Sequence, residues 1–405
     1  MKYNWGKIRL GDVCLTNINT YSSRDQWDFV HYLDTGNITS NCIDSIQHID
    51  IKTEKLPSRA KRKVNYNNII YSTVRPNQRH YGIIKEQPEN FLVSTGFTVI
   101  EVDSDKVDAD YLYFLLSSDS ITESLSAIAE QSTSAYPSIK PSDIENLEIL
   151  LPTLSEQKQI ACILKALDDK IALNQQINKN LEEQAQAIYK AWFMDFEPFD
   201  GEMPSDWSFG TLEDLGNKIV CGKTPSTKRK EYYDGEIPFV TIPDMHNQIF
   251  ITETERYLSN QGAESQPTKT LAKNSVCVSC IGTAGLVSLI SRDSQTNQQI
   301  NSITPKDGIS PYYVYHLMKS LSETIRQLGA SGSTIVNLNK SQFAKIEATI
   351  PSVEVMKSFD EALNPVFELI LSNQQMNIRL SALRDTLLPR LISGEIDVSG
   401  IDIKP

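Results

Sequence analysis

Two stretches of the chain repeat apolar residues at steps of three and four. In the first, Ile160, Leu164, Leu167 and Ile171 lead through Asn174 to Ile177, Leu181, Ile188 and Trp192. In the second, Phe359, Leu363, Val366, Ile370, Asn373, Met376, Leu380, Leu383, Leu387 and Leu391 follow the same rule. Such steps hold side chains on one face of a helix, so each stretch predicts an amphipathic helix of about 40 residues. Thr153-Leu154-Ser155-Glu156 opens the first with the spacing of a capping box, in which hydroxyl and acid satisfy free amides of the first turn. Pro198 and Gly201 close it, and the second runs out near Gly394. Helices of this length cannot bury an apolar stripe alone, and the simplest partner for each is the other, as an antiparallel pair. Asn174 and Asn373 hold equivalent places in the two stripes. Buried, they would fix the register at some expense of stability; facing solvent, they would contribute nothing.

Outside these helices the pattern is shorter and mixed. Asn68 to Val74, Phe91 to Thr95 and Val99 to Val102 read as strands, and Asp110 to Leu116 as a helix start. Further on, Ser275 to Ile281 and Leu286 to Ile290 take the strand roles. These parts repeat. Trp5, Leu10 and Asp12 recur 202 positions later as Trp207, Leu212 and Asp214, and Tyr111-Leu112-Tyr113-Phe114-Leu115-Leu116 recurs as Tyr313-Val314-Tyr315-His316-Leu317-Met318. At an offset of 199, Ile144, Leu147, Glu148 and Pro152 match Phe343, Ile346, Glu347 and Pro351, and Asn174-Gln175-Gln176-Ile177-Asn178 matches Asn373-Gln374-Gln375-Met376-Asn377. A duplicated unit therefore organises the chain. The expected fold class is α/β (mixed α+β), with two pseudo-repeated globular domains separated by two long helices that form an antiparallel coiled-coil rod. The expected boundaries are 1–152 for the first domain, 153–195 for the central helical spacer, 196–351 for the second domain, 352–393 for the C-terminal spacer and 394–405 for a tail. Between the copies the flanks match while the middles diverge, as two recognition modules of different specificity require.

Composition narrows the class. The 405 residues are 40% hydrophobic and 22% charged, within the globular range, so wholesale disorder is excluded. No stretch approaches the roughly 18 consecutive apolar residues of a membrane span, and the opening leads into no apolar signal core, so the reading is cytoplasmic with no membrane partner. The six cysteines are scattered, which does not suit a disulfide framework. Cys277 and Cys280 alone have ligand-like spacing, but they lie in a strand-like run without a second pair, so no metal is expected.

The net charge of −12 argues against a nucleic-acid partner only if it is evenly spread, and it is not. Between Lys52 and Lys85 nine basic residues face one acid, Glu54, an excess of +8; Lys218, Lys223, Lys228, Arg229 and Lys230 form a second acid-free patch. These are either solvated lysine-rich loops or phosphate-seeking surfaces. Screening limits charge effects to about 8–10 Å, so local sign outweighs the total.

Local strings imitate enzyme motifs. Gly222-Lys223-Thr224 resembles the end of a phosphate-binding loop but lacks the glycine five positions earlier. Asn364-Pro365-Val366-Phe367 resembles a methyltransferase motif, yet Val366 belongs to the helical stripe. Gly282-Thr283-Ala284-Gly285 and Gly329-Ala330-Ser331-Gly332 read as turns. No catalytic set stands out, and no residue is assigned a catalytic role.

The duplication, Leu151-Pro152-Thr153-Leu154-Ser155-Glu156-Gln157-Lys158-Gln159-Ile160, and Arg384 through Ile396 (Arg384-Asp385-Thr386-Leu387-Leu388-Pro389-Arg390 and onward) together resemble the specificity subunit of Type I restriction-modification systems, over nearly the whole length. Gly222-Lys223-Thr224-Pro225-Ser226, followed by Tyr232 to Val240, is similar to the opening of a target-recognition domain of that family. The resemblance implies a non-catalytic reader of double-stranded DNA with two target-recognition domains, each taking half of a split asymmetric site. It implies docking of two methyltransferase subunits, which bring S-adenosylmethionine, and of two restriction subunits in the full complex, with ATP and Mg on the partners and no cofactor on this chain. The rod would set the spacing: about 40 residues at about 1.5 Å rise is roughly 60 Å, at most roughly 18 base pairs. The DNA-contact candidates are Arg59, Lys61, Arg62, Lys63, Arg75 and Arg79 in the first module and Lys223, Thr224, Lys228, Arg229 and Lys230 in the second. The rival readings are an assembly scaffold that does not bind DNA and a specificity subunit serving a methylation-only system.

Overall fold

The computed structural model describes residues 5–132, 136–330 and 337–400, apart from the side chains of Ser23 and residues 328–330. The chain forms two compact units, residues 1–170 with 380–405, and residues 171–379. Both draw on the two long helices, Leu154–Phe193 and Val353–Ile392.

In the first unit Gly6–Arg9 pairs antiparallel with Glu148–Leu151, clasping the segment between them. That segment holds two four-stranded sheets. One runs Gln47–Asp50, Phe29–Leu33, Phe91–Ser94, Ala60–Lys63; the other runs Cys14–Thr16, Phe97–Val102, Ile69–Ser72, Tyr81–Ile83. The helix Ala109–Ser117 is buried along almost its whole length and packs with Leu10, Ile160, Leu164, Leu388 and Leu391 in one core. Thr153 and Glu156 make the reciprocal bonds of a capping box where the long helix starts.

The second unit repeats the plan. Ser208–Thr211 clasps Glu347–Ile350, a five-stranded sheet runs Gly216–Cys221, Ile300–Pro305, Val276–Ser279, Val287–Ile290, Phe250–Ile251, and a three-stranded sheet runs Arg256–Leu258, Tyr233–Val240, Gln295–Thr296. The repetition reaches individual bonds. Leu10 N donates to Leu147 O, and Leu212 N to Ile346 O. Tyr111 Oη donates to Leu150 O, and Tyr313 Oη to Thr349 O. Asp108 caps the helix that Tyr111 enters, and Ser310 caps its counterpart.

Several expectations shift by a few residues. The central helix ends at Phe193, before Pro198, and its fully buried line after Asn174 passes through Asn178, Ala185, Tyr189 and Phe193, while Ile177, Leu181, Ile188 and Trp192 are half-buried. In the C-terminal helix Met376 is 40% and Leu383 46% exposed. The inward positions there belong to Asn377 and Arg384, which bond Asn174 and Asp168 respectively. Polar pairs hold this part of the seam, so the apolar side chains one place earlier turn outward. Phe367 is buried and stacked on Tyr312, which makes the Asn364 to Phe367 string helix core. Gly282 and Gly285 take positive φ in a turn. Gly329 and Ala330, expected in a turn, instead close the helix Ser322–Ala330, and Ser331 and Gly332 lie outside the described residues. Among the described residues no helix is long and apolar enough to cross a membrane.

Candidate nucleic-acid interface

The basic stretch of the first unit is part strand and part loop: Lys61, Arg62 and Lys63 lie in a strand, while Lys52, Lys55, Arg59, Arg75, Arg79 and Lys85 lie in turns and loops. Ala60–Lys63 is a strand, paired with Phe91–Ser94 on one side, while Tyr21 N donates to Lys61 O and Lys63 N to Asn19 O on the other. Alternation along a strand sends neighbours to opposite faces. Arg62, in register with Val93, is half-buried with Nε lacking a partner among the described residues, whereas Lys61 is exposed and Lys63 sits over the Trp27 ring at 5.2 Å. Lys63 also pairs with Asp25, whose carboxyl is held below the usual range by that bond and by the Ser22 amide.

The excess charge read from the sequence is smaller in space. Asp28 meets Lys52 at 3.0 Å, Asp110 meets Lys85 at 2.7 Å and Asp119 meets Arg79 at 2.6 Å. With Asp25, acids from outside the stretch thus match four of its nine basic residues. Arg59, Lys61, Arg62 and Arg75 have no ion pair among the described residues. Arg75 is held in the left-handed region at φ 49°, its amide bonded to Pro137 O and its guanidinium 5.0 Å from the Tyr136 ring centre. A non-glycine residue there costs of order 1 kcal/mol or more, so the surrounding contacts fix this arginine in place. Arg79 shares the left-handed backbone at φ 56° but is tied to Asp119.

In the second unit, Gly222 N donates to Ile300 O and Lys223 N to Thr296 O. Those amides cannot cradle a phosphate, which disposes of the phosphate-loop likeness. A Cβ on Gly222 would lie 2.1 Å from Asn297 O, so this position accepts only glycine without movement. Lys223 O accepts from Gln266 Nε2, Thr224 Oγ1 donates to Gln298 Oε1 at 2.8 Å, and Pro225 O accepts from Tyr233 Oη. The loop is thus pinned residue by residue with the Lys223 side chain exposed. Arg229 Nη1 donates to Tyr232 Oη at 2.8 Å, and Lys228, Arg229 and Lys230 are exposed, with no ion pair among the described residues. Lys218, by contrast, bonds Thr270 O, and burial followed by the Lys269 charge draws its ammonium below the usual lysine range.

Asn174 and Asn373 do not meet each other. Asn174 donates to Asn377 and Asn373 to Asn178, each at 2.8 Å.

Sequence reasoning overlooked Asn297, Gln298 and Gln299. They form the turn between Gln295–Thr296 and Ile300–Pro305, three consecutive amides at the end of a polar run that begins at Ser291. It also overlooked Arg256, Arg292 and Tyr257. Arg292 stands over the Tyr257 ring at 5.9 Å, and Tyr257 and Arg256 border a cavity of about 400 Å³ with Thr227, Tyr233 and Asp234. Cys277 and Cys280 are buried, and burial pushes their thiols up to about 12 and about 11, far from the thiolate a metal needs.

A family profile described as Type I restriction modification DNA specificity domain matches residues 2–183 and again 204–382. The specificity subunit of the Type I restriction enzyme HindI from Haemophilus influenzae is 36% identical over 97% of this chain and 100% of its own length. The MjaIX specificity subunit from Methanocaldococcus jannaschii is 26% identical, covering 85% of this chain and 82% of the relative. Among solved structures, a Type I restriction-modification S subunit from M. genitalium superposes with a TM-score of 0.58 at 16% identity, covering 96% of each chain, which shows a shared fold.

Proposed function

Given that the chain belongs to the Type I restriction-modification DNA specificity family, and so is a recognition subunit and not a catalyst, we propose that it reads a split asymmetric site in double-stranded DNA, one half-site per unit. The observation that carries this reading is the duplication itself. Two copies of one scaffold, matched down to the Tyr111 and Tyr313 bonds, present unlike surfaces: a basic strand with Arg75 in one, a pinned Lys223 loop in the other. Phosphate contacts from Lys61, Arg59, Lys223, Lys228 and Lys230 supply affinity, and polar side chains at base edges supply sequence discrimination.

In this proposal the chemistry belongs to partners. Two methyltransferase subunits bring S-adenosylmethionine, and two restriction subunits bring the ATP- and Mg-dependent step. Leu369 and Met376, seven residues apart and exposed on the C-terminal helix, and Leu173 on the central helix offer apolar surface for such docking. The test is single-molecule methylation mapping of cells expressing the chain with its methyltransferase, against cells lacking only this chain. A bipartite methylated motif that vanishes with the chain is the expected result. A motif that persists would sink the proposal in favour of a scaffold.

A further inference from the structure

We infer that Gln298 reads an adenine in the half-site of the second unit, and that Thr224 is the residue that positions it. This deepens the DNA-reading proposal and rests on it.

The turn that carries Gln298 is fixed on both sides. Asn297 N donates to Val240 O and Asn297 Oδ1 accepts from Gln299 N at 3.0 Å, while Gln299 O accepts from Cys280 N. Asn297 is buried, and its Nδ2 donates to Gln299 Oε1 at 3.1 Å. Gly222 presses on the same turn closely enough that no side chain would fit between them. Out of this rigid base Gln298 projects into solvent. Its flanking amides are used inside the turn; its own is not.

One bond orients the exposed carboxamide: Thr224 Oγ1 donates to Oε1 at 2.8 Å. That leaves the second lone pair of Oε1 and both N–H groups of Nε2 without a partner among the described residues. A donor and an acceptor side by side match the major-groove edge of adenine, which offers N6–H and N7. Guanine offers two acceptors there and would set O6 against Oε1. Lys223, immediately before Thr224 in the chain, carries a free ammonium that can hold the adjacent phosphate. A base-reading side chain works best when its rotamer is locked by neighbours, and here the lock is a hydroxyl that makes no other hydrogen bond among the described residues.

The experiment maps methylated bases across the genome for the full chain with its methyltransferase, comparing wild type with Gln298→Ala, Gln298→Glu, Thr224→Val and Thr224→Ser. Gln298→Ala should relax one adenine position of one half-site, with discrimination about 5- to 150-fold weaker, and leave the other half-site unchanged. Gln298→Glu keeps an acceptor for Thr224 and should move that position toward cytosine, whose N4 donates. It reports even if the alanine variant fails to assemble. Thr224→Val should relax the same position, and Thr224→Ser should retain it. An unchanged consensus in the Gln298 variants, or a uniform fall in methylation without relaxation, overturns the assignment. An unchanged consensus in Thr224→Val overturns the positioning role. Methylation that survives deletion of the whole chain would instead overturn the DNA-reading proposal beneath it.

Discussion

Asn174 donates its amide to Asn377 at 2.8 Å, and the same bond recurs with the helices exchanged, from Asn373 to Asn178. The flanking bonds follow suit: Asn178 Nδ2 donates to Ile370 O and Asn377 Nδ2 to Ile171 O. Four amides thus form a network that maps onto itself when the two repeats are swapped, beside a core that includes Ala185, Tyr189, Phe193, Phe359, Leu363, Phe367 and Ile370.

This network predicts an asymmetry between single and double replacement. Asn377→Leu leaves the fully buried Asn174 amide unsatisfied and should destabilise the second unit by about 1–3 kcal/mol. The double variant with Asn174→Leu should regain most of that loss, because it removes the stranded Nδ2 together with the Asn174 Oδ1, which is buried without a partner among the described residues. Urea denaturation of the three proteins measures both quantities, and additive losses would show that the bond is not coupled.

His316 gives a pH prediction. It is buried against Tyr189 and Phe367, Nδ1 is 3.0 Å from Gln186 Oε1, and burial, with a smaller contribution from Lys319, pushes its pKa down to about 3 from 6.5. The folded state takes the neutral ring, so this contribution is complete above about pH 6.5 and is lost as pH falls from there toward 3. The denaturation free energy of the wild type should fall more steeply over that window than that of His316→Gln, by at most ~1.4 kcal/mol per pH unit. Parallel pH profiles would mean that the ring is solvated.

The two lysines of the basic strand should behave differently. Lys61→Ala removes a free charge and should reduce the slope of log affinity against log salt by about 0.9 in the assembled methyltransferase. Lys63 is already neutralised by Asp25 and stacked on Trp27, so Lys63→Ala should change the slope less and the unfolding midpoint more. Equal slope changes would show that the Asp25 pair opens on DNA.

Gly222→Ala should unsettle the second unit while sparing the first. The new methyl meets Asn297 O at 2.1 Å, a backbone atom that cannot swing aside. We expect a cost of about 1–3 kcal/mol and weaker methylation at one half-site only. A wild-type melting curve would mean that the turn at residues 296–299 is looser than its bonds suggest.

The long helices were legible because a stripe at steps of three and four survives any local variation, and the duplication was legible because Tyr111 and Tyr313 pack the same way. Two kinds of feature escaped. Ala60–Lys63 is a strand with only one small apolar residue, buried through its partners and not through its own pattern. The charge of the 52–85 stretch was misjudged because Asp25, Asp28, Asp110 and Asp119 come from other parts of the chain. Met376 and Leu383 fit the stripe by spacing but yield the seam to Asn377 and Arg384, whose partners lie on the other helix. Gln298 gave no signal beyond three amides in a row.

The strand clasps have a consequence for how such a chain changes. Gly6–Arg9 with Glu148–Leu151, and Ser208–Thr211 with Glu347–Ile350, bring the entry and exit of each lobe side by side in the same register. Whatever lies between a clasp's two strands is a cassette with one standard socket. A genetic crossover within the clasp-coding stretches would deliver a finished lobe in a register that already fits, and only its contacts with the long helices, such as those of Tyr111 and Leu115 in the core that holds Ile160 and Leu164, would have to match.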